Sequence, residues 1–238
     1  MKKKVVALLA VAMLTFATSA MAANDLILGG NINWIQLLKS TDGGVNFSSI
    51  TDGGGSLNAT LNGKQLDYLY CADIETVVYA PGDYNNTSVS NNATIHSNTT
   101  PITVYNAGKV AYLLEKYGVN GVGDQTKQAA LQAAIWTEIY STGLHQYKLD
   151  INTDTHTGGY ASNSTIATLY TSYLADASTH TGDVSKLLWL SPAISQDPRD
   201  FQGLVTSSHA PEPSTIVLLV TGMLGMAVFG KRRMIKAA

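Results

Sequence analysis

Apolar and polar positions along the chain follow two periods, which separate predicted helices from predicted strands. Residues 107–117, 125–140 and 165–177 repeat apolar positions three and four apart, the spacing of one helix face. Asp124 is a good N-cap for the second helix, Asn106 is the predicted cap of the first, and Ser164 or Asn163 that of the third. Three helices are therefore expected in the second half of the chain.

Alternating positions predict an antiparallel β region before these helices. Residues 57–61 alternate, and Asn62-Gly63 is a strong hairpin signal. A return strand is expected over residues 66–71, with an extended continuation over 74–79. We also expect a first strand or short amphipathic turn at residues 32–38, and closing strands at 186–190 and 201–206. These elements predict an α+β fold, in which an antiparallel β region packs with a helical subdomain.

Three polar stretches predict turns or loops. Residues 41–44 and 51–54 both read Thr-Asp-Gly-Gly, a turn sequence. Residues 83–101 are rich in Asn, Ser and Thr, a composition that favours a flexible loop over a set of glycosylation sites. Such a loop could cover a reactive site or help to select its target.

The N-terminal residues have the pattern of an export signal. Lys2-Lys3-Lys4 is a positive start, residues 5–16 are apolar, and Ala20-Met21-Ala22 is a small-x-small cleavage site. We therefore interpret residues 1–22 as a signal peptide and residues 23–210 as the exported domain with its linker.

The C-terminal residues 211–238 combine three features in order. Pro211-Glu212-Pro213 precedes the apolar run 215–230, and Lys231-Arg232-Arg233 follows it. An apolar run of this length is at the short limit for a membrane helix, so a plain membrane anchor is the simplest interpretation. The arrangement strongly resembles the PEP-CTERM sorting signal. That resemblance implies an exosortase-type sorting protease as partner, transient membrane anchoring, and a Gram-negative cell envelope, cell surface or extracellular matrix as destination.

Charge argues against a nucleic-acid partner. The full chain has 15 basic and 17 acidic residues, but seven of the basic residues lie in the two predicted processing segments. The part between them is near −9, and it has no basic stripe that could follow a phosphate backbone.

Two residues of the exported part need a chemical explanation. Cys71 is the only cysteine, so it cannot form an internal disulfide. Gln132 lies on the inward face of the second helix, together with Ile135 and Ile139, and a buried amide without partners is costly. A free cysteine can also serve simply as a small buried apolar residue.

The sequences around these two residues resemble the paired motifs of Cys–Gln thioester domains, which occur in surface adhesins and matrix proteins. Tyr70-Cys71-Ala72-Asp73 matches the aromatic-Cys-small-acidic motif at a strand end. Leu131-Gln132-Ala133-Ala134-Ile135 matches the apolar-Gln-x-x-apolar helix motif. One subfamily has Thr before the glutamine, where this chain has Leu131, so the subfamily is open.

The resemblance implies an internal thioester between Cys71 and Gln132, formed with loss of ammonia and without cofactor or metal. Tyr70, Asp73 and Trp136 are the neighbours expected to shape the site. An amine or hydroxyl on a surface or matrix partner would then attack the former Gln132 carbonyl and become covalently attached. Such a protein is a single-use reagent and not an enzyme.

Two other functions stay open from the sequence. Cys71 could be the nucleophile of a cysteine protease or acyltransferase, with His145 and Asp150 as the suggestive base pair. The chain could also be a passive matrix or polysaccharide-binding module. A calcium loop from Asp150 fails its pattern, because Thr155 and Ala161 replace the required Gly and Glu, so a turn is expected there.

Overall fold

The computed structural model describes residues 24–30, 33–97, 100–151, 163–195 and 197–208. The predicted signal peptide and sorting signal lie outside these ranges, as do residues 152–161 of the rejected calcium loop. The pattern of contacts divides the chain into two units. The first ends at Ser207, and the second is Ser208–Ala238, of which only Ser208 is described. No helix in the described ranges has both the length and the apolar character needed to cross a bilayer.

The described ranges contain three α-helices, which are α1 Ala107–Tyr117, α2 Gln125–Ile139 and α3 Asn163–Ala177. Short 3₁₀ helices occur at Val119–Gly121 and Val184–Lys186. The strands are β1 Asn24–Leu28, β2 Asn33–Ser40, β3 Ser48–Gly54, β4 Ala59–Leu61, β5 Lys64–Gln65, β6 Tyr70–Cys71, β7 Gly82–Ser90, β8 Thr94–Ser97, β9 Thr100–Thr103, β10 Gln146–Leu149, β11 Leu187–Ser191, β12 Ala193–Ile194, β13 Asp197–Asp200 and β14 Leu204–Ser207.

All strand pairs in the described ranges are antiparallel. A seven-stranded sheet has the order β5-β4-β1-β7-β11-β14-β6, and a three-stranded sheet has the order β10-β2-β3. Two hairpins, β8–β9 and β12–β13, complete the β structure. Antiparallel sheets together with three helices confirm the predicted α+β class.

Helix α2 is the central element of the core. It contacts α1, α3, β2 and β10, and eleven of its fifteen residues are buried. The predicted inward face is buried, and so are the alanines at positions 129, 130, 133 and 134. Their small side chains let neighbouring elements approach the helix from several sides. Gln132 and Trp136 are both fully buried within this arrangement.

The helix boundaries agree closely with the prediction, but the predicted caps of α1 and α3 are wrong, since α3 already begins at Asn163. Asp124 caps α2 by accepting hydrogen bonds from the backbone N–H groups of Thr126 at 3.1 Å and Lys127 at 3.2 Å. Asn106 has a left-handed backbone, with φ 50°, and makes no side-chain cap. Its amide donates instead to the Glu138 side chain at 3.0 Å, and so joins the start of α1 to the end of α2.

The prediction of a flexible loop over residues 83–101 is wrong. Residues Gly82–Ser90 form β7, which pairs with both β1 and β11 inside the seven-stranded sheet, and the following residues form the β8–β9 hairpin. Only Tyr84 and Thr87 of β7 are buried among largely exposed neighbours. Strand formation depends here on pairing with neighbouring strands, and amino-acid composition does not indicate such pairing.

The hairpin at residues 62–63 is confirmed, but its return strand is much shorter than predicted. Asn62 and Gly63 have φ of 53° and 73°, and β5 covers only Lys64–Gln65. Strand β6 pairs with β14 and not with β4, and the chain bends at residues 74–76, where an extended continuation was expected. The predicted turn at residues 51–54 is also wrong, because these residues are the end of β3. The predicted first strand and closing strands correspond to β2, β11 and β14.

The Asp124 cap gives a stability prediction. Asp124→Ala should lower the free energy of unfolding by about 1 kcal/mol, because two N-terminal N–H groups of α2 lose their acceptor. Hydrogen bonding from the Lys127 N–H is the main cause of the lowered pKa of Asp124. The carboxylate's contribution is therefore complete above about pH 4 and declines as the pH falls through the lowered folded value.

Urea unfolding of the wild type and the variant at neutral and acidic pH measures this effect. Lys127→Ala is the control, because it removes only the exposed ion pair with Asp124 and should change stability much less. Equal losses in the two variants would contradict the capping role.

Candidate functional site

The side-chain amide of Gln132 is bonded directly to the backbone of Cys71. The Gln132 Oε1 accepts a hydrogen bond from the Cys71 N–H at 2.9 Å, and the Gln132 Nε2 donates to the Cys71 carbonyl at 2.7 Å. The amide therefore occupies the position that a neighbouring strand would take beside β6. The two residues that the motifs pair lie in contact, although they are sixty-one positions apart in the sequence.

One edge of β6 pairs with a strand of the sheet, and the opposite edge binds this amide. Strand β6 lies at the end of the seven-stranded sheet and pairs only with β14 in the described ranges. The N–H groups of Ala72 and Asp73 both donate to the Gly203 carbonyl on that side. Cys71 and Gln132 are 2 % and 0 % exposed, so each would leave costly unsatisfied polar groups without the other.

A second backbone donor also reaches the Gln132 carbonyl oxygen. The N–H of Gly55, directly after β3, donates to Gln132 Oε1 at 3.3 Å. Two N–H groups, from Cys71 and Gly55, thus converge on one oxygen, which is the arrangement that stabilises negative charge on a tetrahedral intermediate of acyl transfer. Sequence analysis could not name these donors, because both are backbone groups.

The aliphatic part of Gln132 is held by a glycine and a tryptophan. A Cβ placed on Gly54 would lie 2.5 Å from Gln132 Cγ and 2.7 Å from the Trp136 ring. Only a residue without a side chain permits this close packing of β3 against α2. Trp136 is fully buried, one helical turn after Gln132, and its indole N–H has no hydrogen-bond partner among the described residues.

Cys71 lines a cavity of about 150 Å³. Leu57, Ile74, Val77 and Val78 provide most of its apolar wall, and the exposed Trp34 also lines it. Burial raises the pKa of the Cys71 thiol well above its usual range, and the nearby carboxylates of Asp52 and Asp73 raise it further. The resting group is therefore the protonated thiol.

Asp73 holds the turn that follows Cys71. Its Oδ1 accepts hydrogen bonds from the Glu75 N–H and the Tyr140 hydroxyl, both at 2.8 Å, and its Oδ2 accepts from the Thr76 hydroxyl. Because Tyr140 ends α2, this buried carboxylate connects the cysteine strand to the glutamine helix a second time. Burial, and then Asp73 itself, raise the pKa of Tyr140, so the phenol remains a proton donor to the carboxylate.

Tyr70 is part of the core and does not line the cavity. Its ring is fully buried, 5.8 Å from the Tyr68 ring, and its hydroxyl has no hydrogen-bond partner among the described residues. A Cβ on Gly121 would lie 3.1 Å from that hydroxyl. Alternation along β6 sends the Tyr70 and Cys71 side chains to opposite faces of the strand.

The histidine suggested as a base for Cys71 pairs with a different residue. His145 Nδ1 lies 2.9 Å from Glu75 Oε2, on an exposed part of the surface, and His145 does not line the Cys71 cavity. Asp150 accepts a hydrogen bond from the Ser49 hydroxyl at 3.2 Å. The described residues contain no group of three or more His, Cys, Asp or Glu side chains that could hold a metal ion.

Sequence reasoning missed the contribution of residues 52–55 to this site. The run Asp52-Gly53-Gly54-Gly55 has the composition of a turn, yet it supplies a carboxylate beside the cavity, a close packing position and an N–H donor. Three consecutive glycines after an acidic residue are the signal that could have pointed to a close backbone approach.

Comparisons of this chain with protein-family models, with curated proteins and with solved structures each found no match.

The packing at Gly54 gives a prediction for the site. Gly54→Ala should lower the free energy of unfolding by about 1–3 kcal/mol, because the added methyl group overlaps Gln132 and Trp136. Hydrogen exchange at the Cys71 amide should accelerate at the same time, since displacement of Gln132 removes the acceptor of that N–H.

Thermal or urea unfolding and amide exchange of the two proteins measure both effects. Gly30→Ala is the matched control, because its nearest neighbour would be at an ordinary 3.7 Å. Equal stability of the Gly54→Ala and Gly30→Ala variants would show that β3 does not pack on Gln132 as described.

Proposed function

We propose that this protein forms an internal thioester between Cys71 and Gln132 and uses it to attach covalently to a partner. The observation that carries the proposal is the double hydrogen bond between the Gln132 amide and the backbone of the chain's only cysteine. This pairing holds the side-chain amide of Gln132 beside the residue that carries the thiol. Such fixed proximity is worth effective molarities on the order of 10⁵ M or more.

The direction of attack also favours this reaction. Hydrogen bonds of a strand edge lie in the plane of the sheet, whereas side chains stand roughly perpendicular to it. An amide held at that edge by Cys71 therefore presents one of its faces to the Cys71 side chain. Nucleophiles add to a carbonyl from its face, and the charge that develops on Oε1 meets the N–H groups of Cys71 and Gly55.

Exclusion of water supports the lifetime of such a bond. Cys71 and Gln132 are almost completely buried, and the cavity beside Cys71 has mainly apolar walls. A thioester here would be shielded from bulk water, while a nucleophile small enough to enter the cavity could reach it. A lysine amine or, less readily, a hydroxyl group would take the former Gln132 carbonyl and release the Cys71 thiol.

The location that we propose follows from the two ends of the chain. A signal peptide at residues 1–22 and a PEP-CTERM signal at residues 211–238 would deliver the domain to the envelope, surface or matrix of a Gram-negative bacterium. An exosortase-type protease would remove the C-terminal membrane helix. There the protein would act once, as an adhesin or matrix component, and not turn over as an enzyme.

A passive polysaccharide-binding module is the second candidate, and one observation favours it. Trp34, Tyr79 and Tyr105 are each more than half exposed, and exposed aromatic rings are suited to stacking on sugars. In that case the Gln132 pairing would serve only to close the edge of β6. Sugar binding that persists in Cys71→Ser and Gln132→Ala variants would favour this function.

A cysteine protease or acyltransferase is less well supported. Its base would have to act on Cys71, but His145 pairs with Glu75 and does not line the Cys71 cavity. Turnover of a peptide or small amide that is lost in His145→Ala would favour it nevertheless.

Intact mass of the purified protein tests the thioester. We expect a mass lighter by one ammonia than the sequence requires, and treatment with methylamine should add one methylamine at residue 132 while freeing the Cys71 thiol. Cys71→Ala and Gln132→Ala should each keep their full mass and take up no amine.

Hydrolysis before the measurement has its own signature. It leaves a glutamate at position 132 and a free Cys71 thiol. Peptide mapping distinguishes this glutamate from the original glutamine. Full mass, glutamine at position 132 and no amine uptake in freshly prepared protein would contradict the proposed function.

A further inference from the structure

Formation of a thioester at this site requires a proton acceptor that the motifs do not supply. The Cys71 thiol is buried and protonated, and the attacking species is the thiolate. Asp73 is already engaged by Glu75, Thr76 and Tyr140 in the turn that it holds. His145 does not line the cavity. Another group has to remove the proton.

Asp52 is positioned for this role. Residues two apart in a strand share a face, so Asp52 projects from the face of β3 on which Gly54 packs against Gln132. Asp52 and Cys71 line the same cavity, and they are the only titratable side chains among the described residues that do so. Its Oδ1 accepts a hydrogen bond from the Gly53 N–H at 2.7 Å.

We propose that Asp52 is the proton acceptor and donor for thioester formation between Cys71 and Gln132. This inference rests on the proposed function and assigns a residue that the Cys–Gln motifs do not contain. Partial burial favours such a role independently, because it raises the pKa of the Asp52 carboxyl and makes the carboxylate a stronger base.

The reaction balances without any added reagent. The Asp52 carboxylate takes the proton from Cys71 Sγ, and Sγ bonds to Gln132 Cδ while the carbonyl electron pair moves to Oε1. The N–H groups of Cys71 and Gly55 hold this oxyanion. When the intermediate collapses, the Cδ–Nε2 bond breaks and the Asp52 carboxyl returns the proton to Nε2, which leaves as ammonia. Asp52 ends as the carboxylate that it was at the start.

Refolding of the unreacted chain provides the test. Chain recovered unfolded from inclusion bodies has never adopted the site geometry, so residue 132 should still be glutamine; peptide mapping verifies this. On dilution into folding buffer, fluorescence of the buried Trp136 and Trp189 follows folding, and intact mass follows loss of ammonia. Asp52→Asn should fold at the wild-type rate but lose ammonia at least about 100-fold more slowly, and Asp52→Glu should recover much of the rate.

The pH profile separates a proton acceptor from a purely structural residue. Between about pH 8 and about pH 3, a range that includes the ordinary carboxyl pKa of about 4, the wild-type rate should fall towards acidic pH as the Asp52 carboxylate is protonated. The residual rate of Asp52→Asn should lack that decline. Among the described residues, the groups besides Cys71 that act on Asp52 electrostatically are Lys39, which lowers its pKa, and the Tyr147 phenol. Tyr147 stays neutral in this range because burial and Glu75 raise its pKa.

The outcomes distinguish this inference from the proposed function. Ammonia loss in Asp52→Asn at the wild-type rate, or a wild-type profile that does not fall at acidic pH, would overturn the role of Asp52 and leave the thioester intact. A wild-type chain that folds and never loses ammonia would overturn both. If Asp52→Asn does not fold, the pH profile of the wild type and the rate of Asp52→Glu decide.

Discussion

The pairing of the Gln132 amide with the edge of β6 is the interaction on which the rest of the site depends. It satisfies the N–H and C=O of Cys71, which no strand in the described ranges covers. It also satisfies the polar atoms of a glutamine that is fully buried in the core. Removal of either partner would leave buried polar groups unpaired, which costs more than an ordinary hydrogen bond contributes. The two residues therefore stabilise each other's position before any chemistry.

Three elements from distant parts of the chain meet at this pairing. Helix α2 supplies Gln132 and is itself held on several sides by α1, α3, β2 and β10. Strand β6 supplies Cys71, and Asp73 with Tyr140 attaches its turn to the end of that helix. Strand β3 ends in glycines that allow contact with Gln132. A site on elements packed in this way keeps its geometry better than one on a loop.

The predictable parts of the structure are those with local signals. Asp124 and the apolar spacing after it identified α2 almost to the residue, and Asn62-Gly63 identified its turn, because caps and tight turns depend on neighbouring residues. Strand β7 and the pairing of β6 with β14 were missed, since both depend on partners far along the chain. Asp52 and Gly55 were missed for the same reason. The pattern around them describes a turn, whereas the fold places Asp52 beside the cavity that Cys71 lines and Gly55 within hydrogen-bond distance of Gln132.

A high-resolution crystal structure of the freshly purified protein tests the central claim most directly. The proposal predicts continuous electron density between Cys71 Sγ and Gln132 Cδ, no density for Nε2, and the carbonyl oxygen still within hydrogen-bond distance of the Cys71 and Gly55 N–H groups. An intact amide with Nε2 bonded to the Cys71 carbonyl, beside a free thiol, would contradict it.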